Sequence, residues 1–94
     1  MIIVNNLRKP GAIYDSSKLA ILGNKISGSI RQKSKGAYTI AYTISGMTLN
    51  LKVMKFSPPK NDYAIARKDE QELLAGRIST YLNGAGISHK IQVR

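Results

Sequence analysis

Two alternating segments, residues 38–44 and 47–56, constrain the fold of this chain more than any other feature. Both are rich in β-branched and aromatic residues, which favour strands, and Ser45-Gly46 lies between them as a turn. Apolar and polar residues alternate along each segment, so each strand has an apolar face and a polar face. The two segments therefore predict a β-hairpin with one dry face and one wet face.

The need to bury one wholly apolar face determines the register in which these two strands pair. A two-residue loop at 45–46 pairs Ile44 with Met47 and Tyr42 with Leu49, and it leaves the dry face wholly apolar. A slip of one residue would place apolar side chains opposite polar ones and mix the two faces. We therefore predict the two-residue loop, although Ser-Gly is a weaker turn pair than Asn-Gly.

The dry face needs a cover, and residues 69–83 predict a helix that supplies it. Its apolar residues recur at helical spacing: Leu74, Ile78, Tyr81 and Leu82. Asp69 is the predicted N-cap, and Glu72 completes a capping-box pattern three residues later. Asn83-Gly84 ends the helix in the usual way. The acidic residues near position 70 are thus explained by helix capping.

The remaining segments add smaller elements. Residues 16–24 predict a short helix, and residues 25–32 predict a third strand, because two serines and a glycine disfavour a longer helix. Residues 57–62 contain two prolines and predict a loop, whereas residues 87–93 alternate and predict an edge strand. Residues 1–5 are a further short strand. The main prediction is an α+β domain with a three-stranded antiparallel sheet and one helix packed on one face.

A second fold remains open. If residues 25–32 are helical, the order of elements becomes βαββαβ, which is a ferredoxin-like arrangement. Residues 2–7 would then resemble the first strand of an RNA-recognition domain, without its aromatic residue.

The length and composition of the chain limit the classes of function that it can have. The 94 residues suffice for one small domain, 1–94, and no run of about eighteen apolar residues predicts a membrane span, so we expect a cytoplasmic protein. Cysteine is absent, which excludes disulfides and thiolate sites, and His89, the only histidine, cannot build a metal site alone. We expect no enzyme activity, no cofactor and no metal. A small basic RNase of the toxin type, which needs no metal, is the main exception.

The charge indicates a polyanionic partner. Fifteen Lys and Arg residues oppose five Asp and Glu residues, which gives a net charge of +10. Residues 1–36 hold seven cations against one acid, a net charge of +6, and four of the five acids lie within residues 62–72. Such a surplus favours phosphate-rich partners, and we expect the cations to gather on one solvent-facing side.

The predicted nucleic-acid site combines the wet face of the hairpin with the basic segment before it. Its residues are Lys25, Arg31, Lys33, Lys35, Thr39, Asn50 and Lys52. Lys and Arg contact phosphates, whereas Asn and Thr reach base edges. Because Tyr38 and Tyr42 point to the dry face, we expect no aromatic platform for unpaired bases. This favours duplex DNA over RNA or a single strand.

Residues 28–82 resemble a known family. The basic run 28–38, two alternating strands ending at Phe56 and a following helix are similar to the N-terminal, AP2-like arm-binding domain of phage tyrosine recombinases. The resemblance implies a three-stranded sheet in the major groove, backed by one helix, with Arg31, Lys33 and Lys35 on DNA. It further implies contacts from Thr39 and Lys52 and places Tyr38 in the core.

The expected function is therefore that of a non-catalytic nucleic-acid-binding factor, with an accessory or regulatory role in a phage or mobile element. The alternative is a small phage-type inhibitor that docks on an acidic protein surface of the host. The same positive charge supports this alternative, as does the exposed edge strand at 87–93, which would extend a partner's sheet.

Overall fold

The computed structural model describes residues 1–58 and 62–94 and contains seven elements. In chain order they are β1 (Ile2–Arg8), α1 (Ser16–Lys33), β2 (Tyr38–Ser45), β3 (Thr48–Ser57), β4 (Asp62–Ile65), α2 (Lys68–Gly84) and β5 (Ser88–Val93). The strands form one antiparallel sheet in the order β2-β3-β1-β5, and the short β4 pairs with the end of β3.

The domain is α+β with an antiparallel sheet, as predicted, but its described residues form five strands and two helices. Its element order is the βαββαβ alternative with β4 added. The predicted third strand over residues 25–32 is wrong, because these residues continue α1 to Lys33. Ile26 and Ile30 are four residues apart, a spacing that fits both strand alternation and one face of a helix. With Leu19 and Leu22 they form the buried stripe of a longer helix.

The N-terminal strand has a larger role than predicted. β1 lies between β3 and β5 in the centre of the sheet, and Ile2 and Val4 are completely buried. The C-terminal edge strand predicted over residues 87–93 is present as β5, which pairs with β1. The predicted loop over residues 57–62 falls partly on residues 59–61, which lie outside the described residues.

The hairpin of β2 and β3 has the predicted faces but a different register. Its observed partners are Ser45 with Thr48, Ile44 with Leu49, Tyr42 with Leu51, and Ile40 with Val53. The two loop residues are thus Gly46 and Met47, not Ser45 and Gly46. Gly46 has φ +59 at the first loop position, where a type II′ turn requires glycine. Because the shift is two residues along β3, every side chain keeps its face.

Both helices cover the same face of the sheet. α1 contributes Leu19, Leu22, Ile26 and Ile30 to the core, and α2 contributes Leu74, Ala75, Ile78 and Leu82. The sheet contributes Ile2, Val4, Leu7, Ile40, Leu49, Leu51 and Val53. The hydrophobic core is therefore a single layer between the helices and one side of the sheet, and the other side of the sheet has no cover within the described residues.

Glu70 joins the start of α2 to the sheet. The N-cap of α2 is Arg67, not the predicted Asp69, and the Glu70 carboxylate accepts a hydrogen bond from the Arg67 backbone N–H at 3.4 Å. The same carboxylate accepts a hydrogen bond from the Tyr38 hydroxyl and lies 2.9 Å from Lys55 Nζ. The Tyr38 hydrogen bond, followed by the Lys55 ammonium, lowers the pKa of Glu70 from 4.5 to about 2.

Glu70 should therefore make stability depend on acid pH. A carboxyl group whose pKa is lowered by folding stabilises the native state above pH 4.5, and this contribution is lost as the pH falls toward 2. We expect Glu70→Gln to lower the urea midpoint at pH 7 and to flatten its dependence on pH between 5 and 2. Glu72→Gln, on the exposed side of the same helix, is the matched control. Parallel profiles for the wild type and Glu70→Gln would contradict the role given to Glu70.

Candidate nucleic-acid interface

We call the uncovered side of the sheet the open face. Alternation with the buried residues of each strand places the following side chains on it: Ile3 and Asn5 in β1; Thr39, Ala41 and Thr43 in β2; Thr48, Asn50, Lys52, Met54 and Phe56 in β3; Tyr63 and Ile65 in β4; Lys90 and Gln92 in β5. Lys55 confirms the alternation at the end of β3, because its ammonium reaches Glu70 on the helix side. Phe56, the next residue, therefore points to the open face.

An aromatic pair lies at one end of the open face. β4 places Tyr63 directly opposite Phe56 and Ile65 opposite Met54. The ring centroids of Phe56 and Tyr63 are 5.3 Å apart and the rings are tilted by 58°. Tyr63 is 45% exposed and Ile65 63% exposed, so this corner presents apolar and aromatic surface to solvent.

This pair overturns the expectation that the wet face lacks aromatic residues. Strand alternation alone was enough to find Phe56, which lies three residues after the buried Val53 and so on the opposite face. No comparable signal marks Tyr63. It belongs to a four-residue strand that follows two prolines, and only its pairing with β3 assigns it a face.

The rest of the open face carries amides, threonines and lysines beside the apolar Ile3 and Ala41. Asn50 pairs with Thr43 on one side and with Ile3 on the other, and Ile3 pairs in turn with Gln92, so these four residues form one row across the sheet. Lys52 lies two residues from Asn50 along β3 and is exposed. Amide groups donate and accept hydrogen bonds and ammonium groups attract phosphates, so this surface suits a polar, anionic partner.

None of the five Asp and Glu residues of the sequence belongs to the open face by strand alternation, although the Asp62 carboxylate accepts a hydrogen bond from the Tyr63 backbone N–H at 2.8 Å. Asp15 caps α1 by accepting a hydrogen bond from the Lys18 backbone N–H at 2.9 Å, and this bond lowers the pKa of the Asp15 carboxyl. Asp69, Glu70 and Glu72 lie in the first turns of α2. Asp62 precedes Tyr63 in β4 and therefore points to the opposite side of the sheet. The lysines of the open face have no acidic neighbour among these groups.

The structure divides the predicted site between two sides of the molecule. Thr39, Asn50 and Lys52 come together on β2 and β3, where the open face presents them. The other four predicted residues, Lys25, Arg31, Lys33 and Lys35, belong to α1 and the turn that follows it. Lys33 lines a cleft between the two helices, on the opposite side of the sheet from Lys52. The expectation that the surplus cations share a single surface is therefore wrong.

The single histidine forms a hydrogen-bonded pair that the sequence did not reveal. His89 Nε2 lies 2.8 Å from Ser79 Oγ, and His89 Nδ1 lies 3.0 Å from the carbonyl oxygen of Ile87. Because a carbonyl only accepts, Nδ1 carries a proton in this arrangement, and in the neutral ring Nε2 would accept from the serine hydroxyl. The pair joins α2 to β5. Neither side chain lines the cleft between the helices, and nothing around the pair assigns it a reaction.

Comparisons with known proteins give no family for this chain. A scan against protein-family models, a search of curated proteins and a search of solved structures each found no match. The resemblance of residues 28–82 to a recombinase domain therefore stays a prediction. In the described part of the chain, neither helix is long and apolar enough to cross a bilayer. Nor do residues 1–58 and 62–94 bring together three side chains suited to hold a metal ion.

Proposed function

We propose that this protein binds single-stranded nucleic acid on the open face of its sheet, without catalysis. The observation that carries the proposal is the Phe56–Tyr63 pair, which lies on a lysine-bearing and carboxylate-free face. Unpaired bases stack on aromatic rings, and each stacked base contributes about 1–3 kcal/mol. The preference for duplex DNA predicted from the sequence depended on the lack of such rings, so it loses its basis.

The spacing along β3 supports a path for a nucleic-acid strand. Lys52 and Phe56 are four residues apart, which is about 13 Å along a strand, and Asn50 lies about 7 Å further on. A strand that stacks a base on the ring pair can therefore place a phosphate near Lys52 and a base edge near Asn50. In a duplex the bases are already paired and stacked, so the rings would gain no partner there.

The proposal includes a biological setting that rests on the sequence. An accessory or regulatory role in a phage or mobile element rests only on the resemblance of residues 28–82, and a cytoplasmic location rests only on composition. The binding proposal itself depends on neither.

Fluorescence anisotropy with labelled oligonucleotides tests the proposed preference. We expect 15-nucleotide oligo-dT or oligo-U to bind at least tenfold tighter than a 15-base-pair duplex at 50 mM salt. With two exposed lysines on the open face, Lys52 and Lys90, the log–log salt slope for a single strand should be about −1.4. Affinity then falls about sevenfold between 50 and 200 mM salt. Tighter duplex binding, or a slope steeper than about −4, would instead indicate diffuse attraction to the whole basic surface.

Lys52 should contribute one phosphate contact. We expect Lys52→Gln to make the salt slope for oligo-dT shallower by about 0.7 and to weaken binding at 50 mM salt. Lys25→Gln is the matched control, because it removes the same charge from an exposed position on α1, across the sheet from the open face. Anisotropy titrations at four salt concentrations measure both slopes. An equal change in salt slope for the two variants would show that oligo-dT does not bind on the open face.

A further inference from the structure

The two helices leave a cleft between them that the proposed nucleic-acid site does not use. Its volume is about 540 Å³. Ile26 and Ile30 of α1 line it on one side, and Leu73 and Tyr81 of α2 line it on the other. Ile26 and Ile30 are buried, whereas Leu73 is 58% exposed. The cleft therefore has an apolar floor and an apolar residue in its wall that the fold itself does not cover.

Two cations flank this apolar surface. Lys33 of α1 and Arg77 of α2 both line the cleft. In the portion of the chain that the structure describes, the ion pairs involve Lys55 and Arg67, so neither Lys33 nor Arg77 has a carboxylate within 4 Å. No acidic side chain lines the cleft. An occupant that is both apolar and anionic would complement it.

Gly76 adds an independent feature of the α2 wall. It lies in the interior of the helix, three residues after Leu73 and next to Arg77, and it is exposed. A Cβ atom added there would have no neighbour within 4 Å, so packing within this chain does not require glycine. Glycine in a helix interior destabilises it relative to alanine, and its usual benefit is close approach of another backbone or ligand.

We propose that this cleft binds an acidic amphipathic helix of another protein. The α2 wall from Leu73 to Tyr81 contains nine residues and rises about 12 Å, which matches two helical turns and apolar anchors at i, i+4 and i+7. Glutamates beside those anchors would meet Lys33 and Arg77, and the partner's backbone would pass over Gly76. A second copy of this chain fits poorly, because each copy carries a net charge of +10.

A designed peptide tests the proposal on the intact protein. The probe is a 14-residue helical peptide of Leu, Ala and Glu, with Leu at i, i+4, i+7 and i+11 and Glu on both flanks. One control peptide has the same composition with the leucines scattered around the helix, and the other has Lys in place of Glu. We expect the probe to bind at least tenfold tighter than either control. Its amide shift changes should centre on the second half of α1 and the middle of α2.

Variants localise the binding. We expect Gly76→Leu and Arg77→Glu each to lower the affinity for the probe peptide at least tenfold, while circular dichroism shows an intact fold. Gly28→Leu is the matched control for the first, because Gly28 is exposed in α1 with no neighbour within 4 Å of an added Cβ. Lys25→Glu is the control for the second. Equal binding of the scattered peptide, or unchanged binding by Gly76→Leu, overturns the proposal. If the wild type dimerises and Gly76→Leu abolishes this dimer, the cleft binds a second copy of the chain, and the proposal is overturned as well.

Discussion

Gly23→Ala is expected to destabilise the protein by up to about 2 kcal/mol, although alanine is the better helix former. Gly23 is buried in α1 where the helix contacts Tyr42 of β2. A Cβ atom at this position would lie 2.7 Å from Tyr42 Cγ and 2.9 Å from each Cδ atom. These atoms form the base of the ring and cannot move aside like the end of a flexible chain, so either the helix or the ring must shift. Such overpacking costs about 1–3 kcal/mol and the gain in helix propensity is about 1 kcal/mol, so the net loss is up to about 2 kcal/mol.

Gly28→Ala provides the matched control in the same helix. Gly28 is exposed and a Cβ atom there would have no neighbour within 4 Å. We expect this variant to gain about 0.5–1 kcal/mol from helix propensity alone. Urea unfolding followed by circular dichroism measures both free energies. If Gly23→Ala and Gly28→Ala stabilised the protein equally, the close packing of α1 on Tyr42 would be wrong.

Tyr63→Ala should have the largest effect on nucleic-acid affinity. Loss of one stacked base costs about 1–3 kcal/mol, which corresponds to about 5- to 150-fold weaker binding of oligo-dT. Tyr63 is 45% exposed on the short β4, so the fold should tolerate the change. Tyr63→Phe keeps the ring and should bind within about twofold of the wild type.

Leu73→Ala controls for the loss of an exposed apolar side chain. Leu73 is 58% exposed on α2, on the helix side of the sheet, and we expect its removal to leave oligonucleotide affinity unchanged. Anisotropy with oligo-dT at 50 mM salt compares the three variants. Stacking on the open face would be refuted by a Tyr63→Ala protein that binds like the wild type.

The parts of the fold with a strong local pattern were predictable from the sequence. Residues 38–56 alternate so regularly that both hairpin faces are right, even though the register is off by two residues on β3. The predicted helix over 69–83 is α2, and its apolar stripe is confirmed, but the helix includes Gly84, its C-cap is Ala85, and the glycine with positive φ is Gly86. Turn geometry decided the register, and no pattern in the sequence shows that Gly46 takes the first loop position with positive φ.

Contacts between distant parts of the chain determine the two features of the fold that the sequence did not predict, the length of α1 and the central position of β1. Residues 25–32 are helical because Ile26 and Ile30 reach the core beside Leu22, and this contact depends on where the sheet lies. β1 is central because β3 and β5 both pair with it, although nothing within residues 1–5 identifies those partners.

Two errors in the predicted secondary structure, at residues 25–32 and at β4, led to errors in the predicted site. Reading residues 25–32 as a strand put Arg31 and Lys33 next to the hairpin, whereas the helix carries them to the other side of the sheet. The predicted loop covered residues 57–62 and no strand was predicted over residues 62–65, so Tyr63 and Ile65 were not assigned to the sheet. Thr39, Asn50 and Lys52 were placed together because they lie within the strongly alternating hairpin.

Amide chemical-shift mapping with unlabelled 15-nucleotide oligo-dT is the most direct test of binding on the open face. The account predicts that the largest changes fall on the strands that present this face, around Asn50, Phe56, Tyr63 and Lys90, while α1 and α2 change little. Changes centred instead on α1, around Lys25 and Arg31, would show that the strand binds the helix layer and would contradict the account.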